Sequence, residues 1–434
     1  MRSGIFHKSF WLVLASAACA AGMWTYADRV LVPYQKADAN VHQRPRGNLS
    51  DLYPRWLGAR ELLLHGRDPY SGEVAREIQA GYYGRPLDPS RPNDPADKQG
   101  FAYPVYVVFF LAPLIGLPFA IVQKVFLWIL IAVTAASIPF WLRVLRWSAP
   151  PWIQISLLVL AMSSLSVMQG LKLQQISLFV VALLALAMAL LASDRPIAAG
   201  VVLALATIKP QLAWLLLFWL MIWTVADWRH RYRLAVSFLA TMAILMATSE
   251  WYLPHWIPRF WQAVREYQNY TGTTSVMGKL IGSPWSRAPE LLIFAAVTTA
   301  CWRERRQAAN TCSFALTLSL VLATTILLVP TYAPYNQVLL MPALLLLVAE
   351  RRTIWKRSVT NRVLFVVTVG LILWPWLSSA TLATLSFILP LETVERSWAI
   401  PFWTSLQIPV AVAALILVHY YQTTFAAPTR PGTS

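Results

Sequence analysis

The stretch IAAGVVLALATIKPQLAWLLLFWLMIWTV, residues 197–225, is apolar almost throughout and carries Lys209-Pro210 in its middle. How it is read decides the fold. As one helix it crosses a bilayer once, and every element upstream must then reverse. Arg143, Arg146 and Arg195 fall outside in that reading, against the tendency of Lys and Arg to stay in the cytoplasm. As an up helix and a down helix meeting at Lys209-Pro210, it leaves those arginines inside. Each half is then short of the roughly 20 apolar residues a crossing needs. Such halves are tolerated where the turn lies below the outer surface, in a protein-lined cavity. The split reading is the one adopted.

Outward from this turn the rest of the chain follows. Clear spans are 10–27, 119–142, 152–169, 176–193, 233–249, 312–330, 362–380 and 404–422, with shorter ones at 288–302 and 336–349. Counting both halves of 197–225, the total is about twelve. Basic clusters separate them: Arg143/Arg146, Arg229/Arg231/Arg233, Arg303/Arg305/Arg306 and Arg351/Arg352/Lys356/Arg357. Placing all four clusters in the cytoplasm puts both termini inside and loops 28–118, 250–287 and 381–403 outside. Residues 101–118 are apolar but broken by Pro104, Pro113 and Pro118. They read as a helix lying in, or dipping into, the outer interface. Residues 84–100 read as an exposed, mobile segment, and 423–434 as a disordered tail. The apolar run after Arg2 and Lys8 reads as an uncleaved signal anchor, although Ala18-Cys19-Ala20-Ala21 resembles a cleavage site.

Composition agrees. The chain is 57% hydrophobic and only 13% charged over 434 residues, which excludes an ordinary soluble protein. The net charge of +17 raises the question of nucleic acid. Much of that excess lies in the short clusters between spans, so it is a topology signal and no nucleic-acid partner is expected. Cys19, Cys301 and Cys312 form no CxxC and no metal-ligand spacing, and free thiols are expected.

The long first loop keeps its polar residues outside, which points to chemistry at the membrane surface. It holds Asp51 in the run Asn48-Leu49-Ser50-Asp51-Leu52-Tyr53-Pro54-Arg55-Trp56. Ser50 or Asp51 can cap the amphipathic helix that follows; an aspartate there can equally act as a general base toward a sugar hydroxyl. Lys209, an ionisable group inside an apolar run, is a functional candidate. It can offer an ammonium to a lipid phosphate, or simply snorkel from a helix end. Gln169, Lys172, Gln174 and Gln175 form a polar knot between two spans. In loop 250–287, Arg259, Arg265, Glu266, Gln268, Asn269, Ser275 and Lys279 suit either a lid over a phosphate or sugar site or an amphipathic surface helix. Tyr332, Tyr335 and Asn336 lie in an outer turn where interface aromatics are also common. There is no P-loop, no GxGxxG and no Asp-x-Asp, and His42, His65 and His255 show no metal-ligand pattern. A reaction without metal or cofactor, on a pre-activated lipid donor, fits this inventory.

Several pieces in order carry a family resemblance. Asp51-Leu52-Tyr53 is followed by the run from Ala59 to Tyr70, which contains Gly66-Arg67-Asp68-Pro69-Tyr70. Then come Phe101-Ala102-Tyr103-Pro104, Gln169-Gly170 with Gln174-Gln175, Ala199-Gly200, and Ile208-Lys209-Pro210. Gln268-Asn269 with Ser275 is a looser match. Over most of residues 10–350 the chain resembles the membrane-embedded glycosyltransferases of the C type (GT-C), specifically glycosyltransferase family 87. That family includes bacterial polyprenyl-phosphate-mannose-dependent mannosyltransferases. The resemblance implies an all-α polytopic bundle whose external first loop bears short surface helices, as a catalytic module over 1–350 followed by further membrane helices over 351–422. It implies an inverting transfer of a sugar, mannose first, from a polyprenyl-phosphate donor to an external glycolipid or glycan acceptor, at the bacterial plasma membrane. By position, Asp51 is the catalytic base. Lys209 and Arg265 meet the donor phosphate, and Arg55, Gln174, Gln175, Gln268, Asn269, Tyr335 and Asn336 line the substrate site. Members often carry a histidine in the turn that here reads from Pro330 to Asn336; this chain has none there. The rival reading is a transporter or flippase of lipid-linked sugars. Such proteins usually pair broken helices in two related halves, and the only broken region evident in the sequence is at Lys209-Pro210.

Overall fold

The computed structural model describes residues 2–425, apart from 45–49, 89, 93 and 273. Asn48, Leu49 and the tail beyond 425 lie outside that set. The described chain is all-helical, with no strand, as the apolar patterning predicts.

Five helical segments are long and apolar enough to cross a membrane: Ser9–Val41, Phe119–Val144, Trp228–Tyr252, Val359–Leu385 and Leu391–Thr424. Pro151–Met162 and Leu165–Lys172 make a sixth if taken together, although they are bent by 54°. Length and apolarity thus give five or six crossings, where hydropathy predicts about twelve. The difference lies in apolar helices such as Ile176–Ala192, Pro196–Ala206, Pro210–Val225 and Cys312–Leu328. At about 1.5 Å per residue, none of these reaches the ~30 Å of a hydrocarbon core. Ile176–Ala192 and Cys312–Leu328 are apolar on every side because protein surrounds them, whereas Pro196–Ala206 and Pro210–Val225 also expose apolar side chains such as Ile197 and Met221. Val180, Leu184, Ala185, Met188, Val321, Leu322 and Ala323 are all fully buried.

The chain does reverse at Lys209-Pro210. The Pro196–Ala206 helix ends there and the Pro210–Val225 helix begins. Pro196–Ala206 runs parallel to Trp228–Tyr252. A Cβ on Gly200 would stand 2.5 Å from the Leu234 carbonyl oxygen, while further along Thr207 Oγ1 lies 3.4 Å from Met242 Sδ. With two residues between them, Pro210–Val225 must descend to reach the start of Trp228–Tyr252. Gly200 is needed where these two backbones nearly touch.

The basic clusters gather at the end of the bundle opposite this turn. Arg231 donates to the carbonyls of Trp223 at 2.6 Å and Arg305 at 2.7 Å. Arg146 donates to the Asn310 carbonyl at 3.1 Å, and Arg357 donates to that of Gln422. The Lys209 turn is therefore separated from the basic end by the Pro210–Val225 helix, about 24 Å long.

Several expectations are corrected. The first helix does not stop at 27: it passes through a π-helical turn, Ala27–Leu31, and continues as Val32–Val41. Its polar residues read as loop, but Val30 and Leu31 are buried and Tyr34 stacks on Trp398 at 4.9 Å. Span 152–169 is broken, because Ser164 caps a new helix by accepting from Val167 N. Residues 101–118 do not form an interfacial helix. They contain the short helix Val107–Leu111, whose Val107, Val108 and Leu111 are fully buried in protein. Apolarity alone does not distinguish lipid from protein as the covering material. Within 84–100, Arg85 Nη1 pairs with Asp94 at 2.9 Å and Gln79 donates to the Lys98 carbonyl at 3.1 Å, while Ser90, Arg91 and Pro92 are exposed as expected. The last helix, Gln407–Phe425, runs beyond Thr423.

Candidate active site

The first loop folds into two helices, Tyr53–His65 and Gly72–Tyr83, stopped by Gly66 at φ 65° and Gly84 at φ 84°. Positive φ favours glycine at both stops. Gly81 faces the Tyr53 ring so closely that a Cβ would overlap it. This approach brings Tyr82 beside the entry to the first of the two helices.

Asp51 stands at that entry. Its backbone N–H donates to the Leu173 carbonyl at 3.0 Å, which fixes it against the polar knot. Its side chain does not cap the helix. Oδ1 accepts from the Tyr82 hydroxyl at 3.1 Å, and Oδ2 accepts from Gln175 Nε2. The local turn is closed instead by Ser50, whose Oγ accepts from Leu52 N at 3.2 Å. Ser50 also donates to Gln174 Oε1, and Gln174 Nε2 donates to the Gln123 carbonyl at 2.6 Å. Tyr82 is buried, and burial first, then the Asp51 charge, holds its pKa well above the ordinary phenol value. It remains a proton donor to Asp51.

Lys209 is buried on the other side of Gln175. Its Nζ donates to Ser177 Oγ at 2.6 Å, Asn336 Oδ1 at 3.4 Å and Gln175 Oε1 at 3.5 Å. It also lies 5.0 Å from the Tyr335 ring centre. Ser177 in turn donates to Asn336 at 2.9 Å. Gln175 therefore bridges the two groups, donating to Asp51 and accepting from Lys209. An ammonium in an apolar bundle requires such partners.

Asp51, Arg55, Lys209, Tyr335, Asn336 and Gln268 line one cavity of 430 Å³. Arg55 donates to the Tyr103 hydroxyl at 3.0 Å, while its buried Nε has no partner among the described residues. Burial works against its charge, and the Tyr103, Asp51 and Tyr335 oxygens outweigh that effect and raise its pKa. For Tyr103 burial acts upward, and Arg55 and Lys209 outweigh it and pull the phenol below its ordinary value. The cavity thus offers two hydrogen-bonded carboxylates, Asp51 and Asp97, and two cations. That inventory suits an anion such as phosphate beside a group that loses a proton. The Trp256–Thr271 helix closes one side through Phe260, Trp261, Val264, Tyr267 and Gln268.

Arg265 and Asn269 are not brought to the cavity. One helical turn apart, they are exposed on the side of the helix away from Val264 and Gln268. Gln174 supports the wall and borders a second cavity, of 560 Å³, on the other side of it. Sequence reasoning missed Tyr82, Tyr103, Ser177 and Asp97. Tyr103 was within reach, since it belongs to the quoted Phe101-Ala102-Tyr103-Pro104; the other three are recognisable only from their contacts.

The profile of glycosyltransferase family 87 matches residues 101–330, more than half of the chain. No curated protein and no solved structure matches. The match covers Tyr103, Gln174, Gln175, Ser177, Lys209 and Gln268. Asp51, Arg55 and Asp97 precede it, and Tyr335 and Asn336 follow it. The chain belongs to glycosyltransferase family 87, as a membrane glycosyltransferase that takes a sugar donor and an acceptor.

Proposed function

We propose that this protein is an inverting GT-C glycosyltransferase of the bacterial plasma membrane. It moves a sugar, mannose in the first instance, from a polyprenyl phosphate to a glycolipid or glycan acceptor. The observation that carries this reading is the Asp51–Gln175–Lys209 bridge: a carboxylate and a buried ammonium held on one side chain, both facing one cavity. With the basic clusters in the cytoplasm, both termini lie inside and the cavity opens on the external face. Short apolar helices paired around protein-lined turns bring the passes to about twelve.

In the proposed reaction the donor phosphate lies at Lys209 and the Arg55 guanidinium. Tyr335, Asn336 and Gln268 line the sugar space, and Gln174 and Gln175 hold Asp51 in place. The acceptor hydroxyl approaches the anomeric carbon opposite the phosphate and gives its proton to Asp51. As the new C–O bond forms, the bond from the anomeric carbon to the phosphate oxygen breaks. Polyprenyl phosphate departs with the electron pair. Attack from the opposite face inverts the anomeric centre. Phosphate leaves readily, so no strong general acid is required, and the two cations stabilise the charge that develops on it. Arg265 and Asn269 have no part in this scheme.

The test is transfer itself. Purified protein is incubated with radiolabelled polyprenyl-phosphate-mannose and a membrane lipid extract. Label moving into a new glycolipid or glycan fraction is the expected result. Label that stays on the polyprenyl phosphate, while another polyprenyl-linked sugar is transferred, would replace mannose. Label that crosses liposome membranes without transfer would sink the enzymatic reading.

A further inference from the structure

Asp97 takes no part in the proton transfer above, yet its side chain lines the same cavity. Its position is built with care. The Tyr83 hydroxyl donates to its carbonyl at 2.7 Å. Gln99 folds back over it, donating its backbone N–H to Oδ1 at 3.0 Å and Nε2 to Oδ2 at 2.8 Å. Gln99 does so at φ 50°, a left-handed conformation uncommon outside glycine. Each carboxylate oxygen accepts one hydrogen bond and keeps capacity for another.

Adjacent residues of one helix thus hold the two carboxylates of the cavity: Tyr82 grips Asp51 and Tyr83 grips the Asp97 backbone. Their rings pack edge to face at 4.8 Å. Lys209 is held from elsewhere, by Ser177 of the Ile176–Ala192 helix and Asn336 of the Pro334–Leu340 turn. Asp97 therefore shares its support with Asp51 and not with Lys209. If the donor phosphate occupies the Lys209 side, the attacking hydroxyl comes from the Asp97 side.

We infer that Asp97 is an acceptor-positioning residue, accepting a hydrogen bond from a second hydroxyl of the acceptor, which is therefore a polyol (a sugar or a cyclitol) and not a simple lipid alcohol. This inference rests on the reading of the cavity as a glycosyl-transfer site. A carboxylate only accepts hydrogen bonds when ionised, so a hydroxyl is a matched partner. A site built to bind a hydroxyl discriminates strongly against an analogue that lacks it.

Binding tests this without requiring catalysis. Wild type, Asp97→Ala and Asp97→Asn are purified into lipid nanodiscs. Each is titrated with methyl α-mannopyranoside, myo-inositol and cyclohexanol by saturation-transfer NMR. The wild type is expected to bind the two polyols and not cyclohexanol. Asp97→Ala loses polyol affinity about 10- to 100-fold, and Asp97→Asn, which keeps one carbonyl acceptor, loses less. Should Asp97→Ala fail to fold, the drop in Asp97→Asn at a melting temperature no lower than that of the wild type decides. Polyol binding unchanged in both variants, absent in the wild type, or matched by cyclohexanol would overturn the inference. Polyol binding that depends on Asp97, with no transfer from any polyprenyl donor, would instead count against the proposed reaction and leave this assignment standing.

Discussion

Asp51 and Lys209 reach the same glutamine from two regions built of opposite material. Asp51 sits half-buried in a polar loop; its partner Tyr82 comes from a short helix stopped by Gly84, and Gln175 stands at the start of the Ile176–Ala192 helix. Lys209 sits buried where two apolar helices reverse, and its ammonium is held by Ser177, Asn336, Gln175 and Tyr103. The loop side keeps water within reach, so a charged carboxylate there costs little. The bundle side takes an ammonium out of water, which is expensive unless a partner anion arrives. This contrast implies a division of labour. The loop residue acts on the proton, and the bundle residue is stored charge awaiting a phosphate.

The largest effect belongs to the loop side. Asp51→Asn keeps shape and one hydrogen-bond acceptor but removes the base, and transfer is expected to fall about 100- to 10,000-fold, in kcat rather than donor KM. A donor KM that rises while kcat holds would move Asp51 to the binding side and erase the contrast.

Next comes the bundle side. Lys209→Met is expected to reduce transfer about 100- to 1,000-fold. It should do so without lowering the melting temperature, because an apolar chain of similar volume in place of a buried charge is often neutral or stabilising. The Ser177–Asn336 hydrogen bond remains to satisfy both neighbours. A large loss of stability would make Lys209 a structural strut.

The smallest effect sharpens the loop side. Burial first, and then the Asp51 charge, raises the Asp97 pKa. A folded-state pKa above the unfolded value means stability that is fully present below the ordinary carboxylate range and is lost as pH rises through the raised value. Asp97→Asn does not ionise. Its melting temperature should match the wild type near pH 4 and exceed it progressively toward pH 8, followed by thermal unfolding in detergent. A difference that stays constant across this range would mean that Asp97 is not penalised by its surroundings.

Much of this contrast is legible in the sequence, and the gaps have physical causes. Lys209-Pro210 announces its turn because proline cannot continue the hydrogen-bond ladder and lysine does not belong in an apolar run. Asp51, Gln174 and Gln175 stand out as polar residues at the edges of spans. Residues 101–118 form only the short helix Val107–Leu111 and a 3-10 turn, because Pro104, Pro113 and Pro118 interrupt the run and Val107, Val108 and Leu111 are buried in protein. Arg265 reads as a loop cation and Asn269 comes with Gln268 from the resemblance, whereas the helix leaves both exposed outside the cavity lining. Ser177 and Tyr82 carry no local signal: their roles come from contacts far along the chain, with Asn336 and Asp51. Asp97 is held by nearby Tyr83 and Gln99 and is marked only by the cavity it lines. Length and apolarity pick out only five or six crossings because the other apolar helices are each shorter than a hydrocarbon core.

Equilibrium binding of radiolabelled polyprenyl-phosphate-mannose to wild type, Asp51→Asn and Lys209→Met, read beside transfer by the same preparations, tests the division of labour most directly. Asp51→Asn should bind the donor as the wild type does and fail to transfer it, while Lys209→Met should lose the binding. Donor binding lost in Asp51→Asn, or undiminished in Lys209→Met, would contradict it.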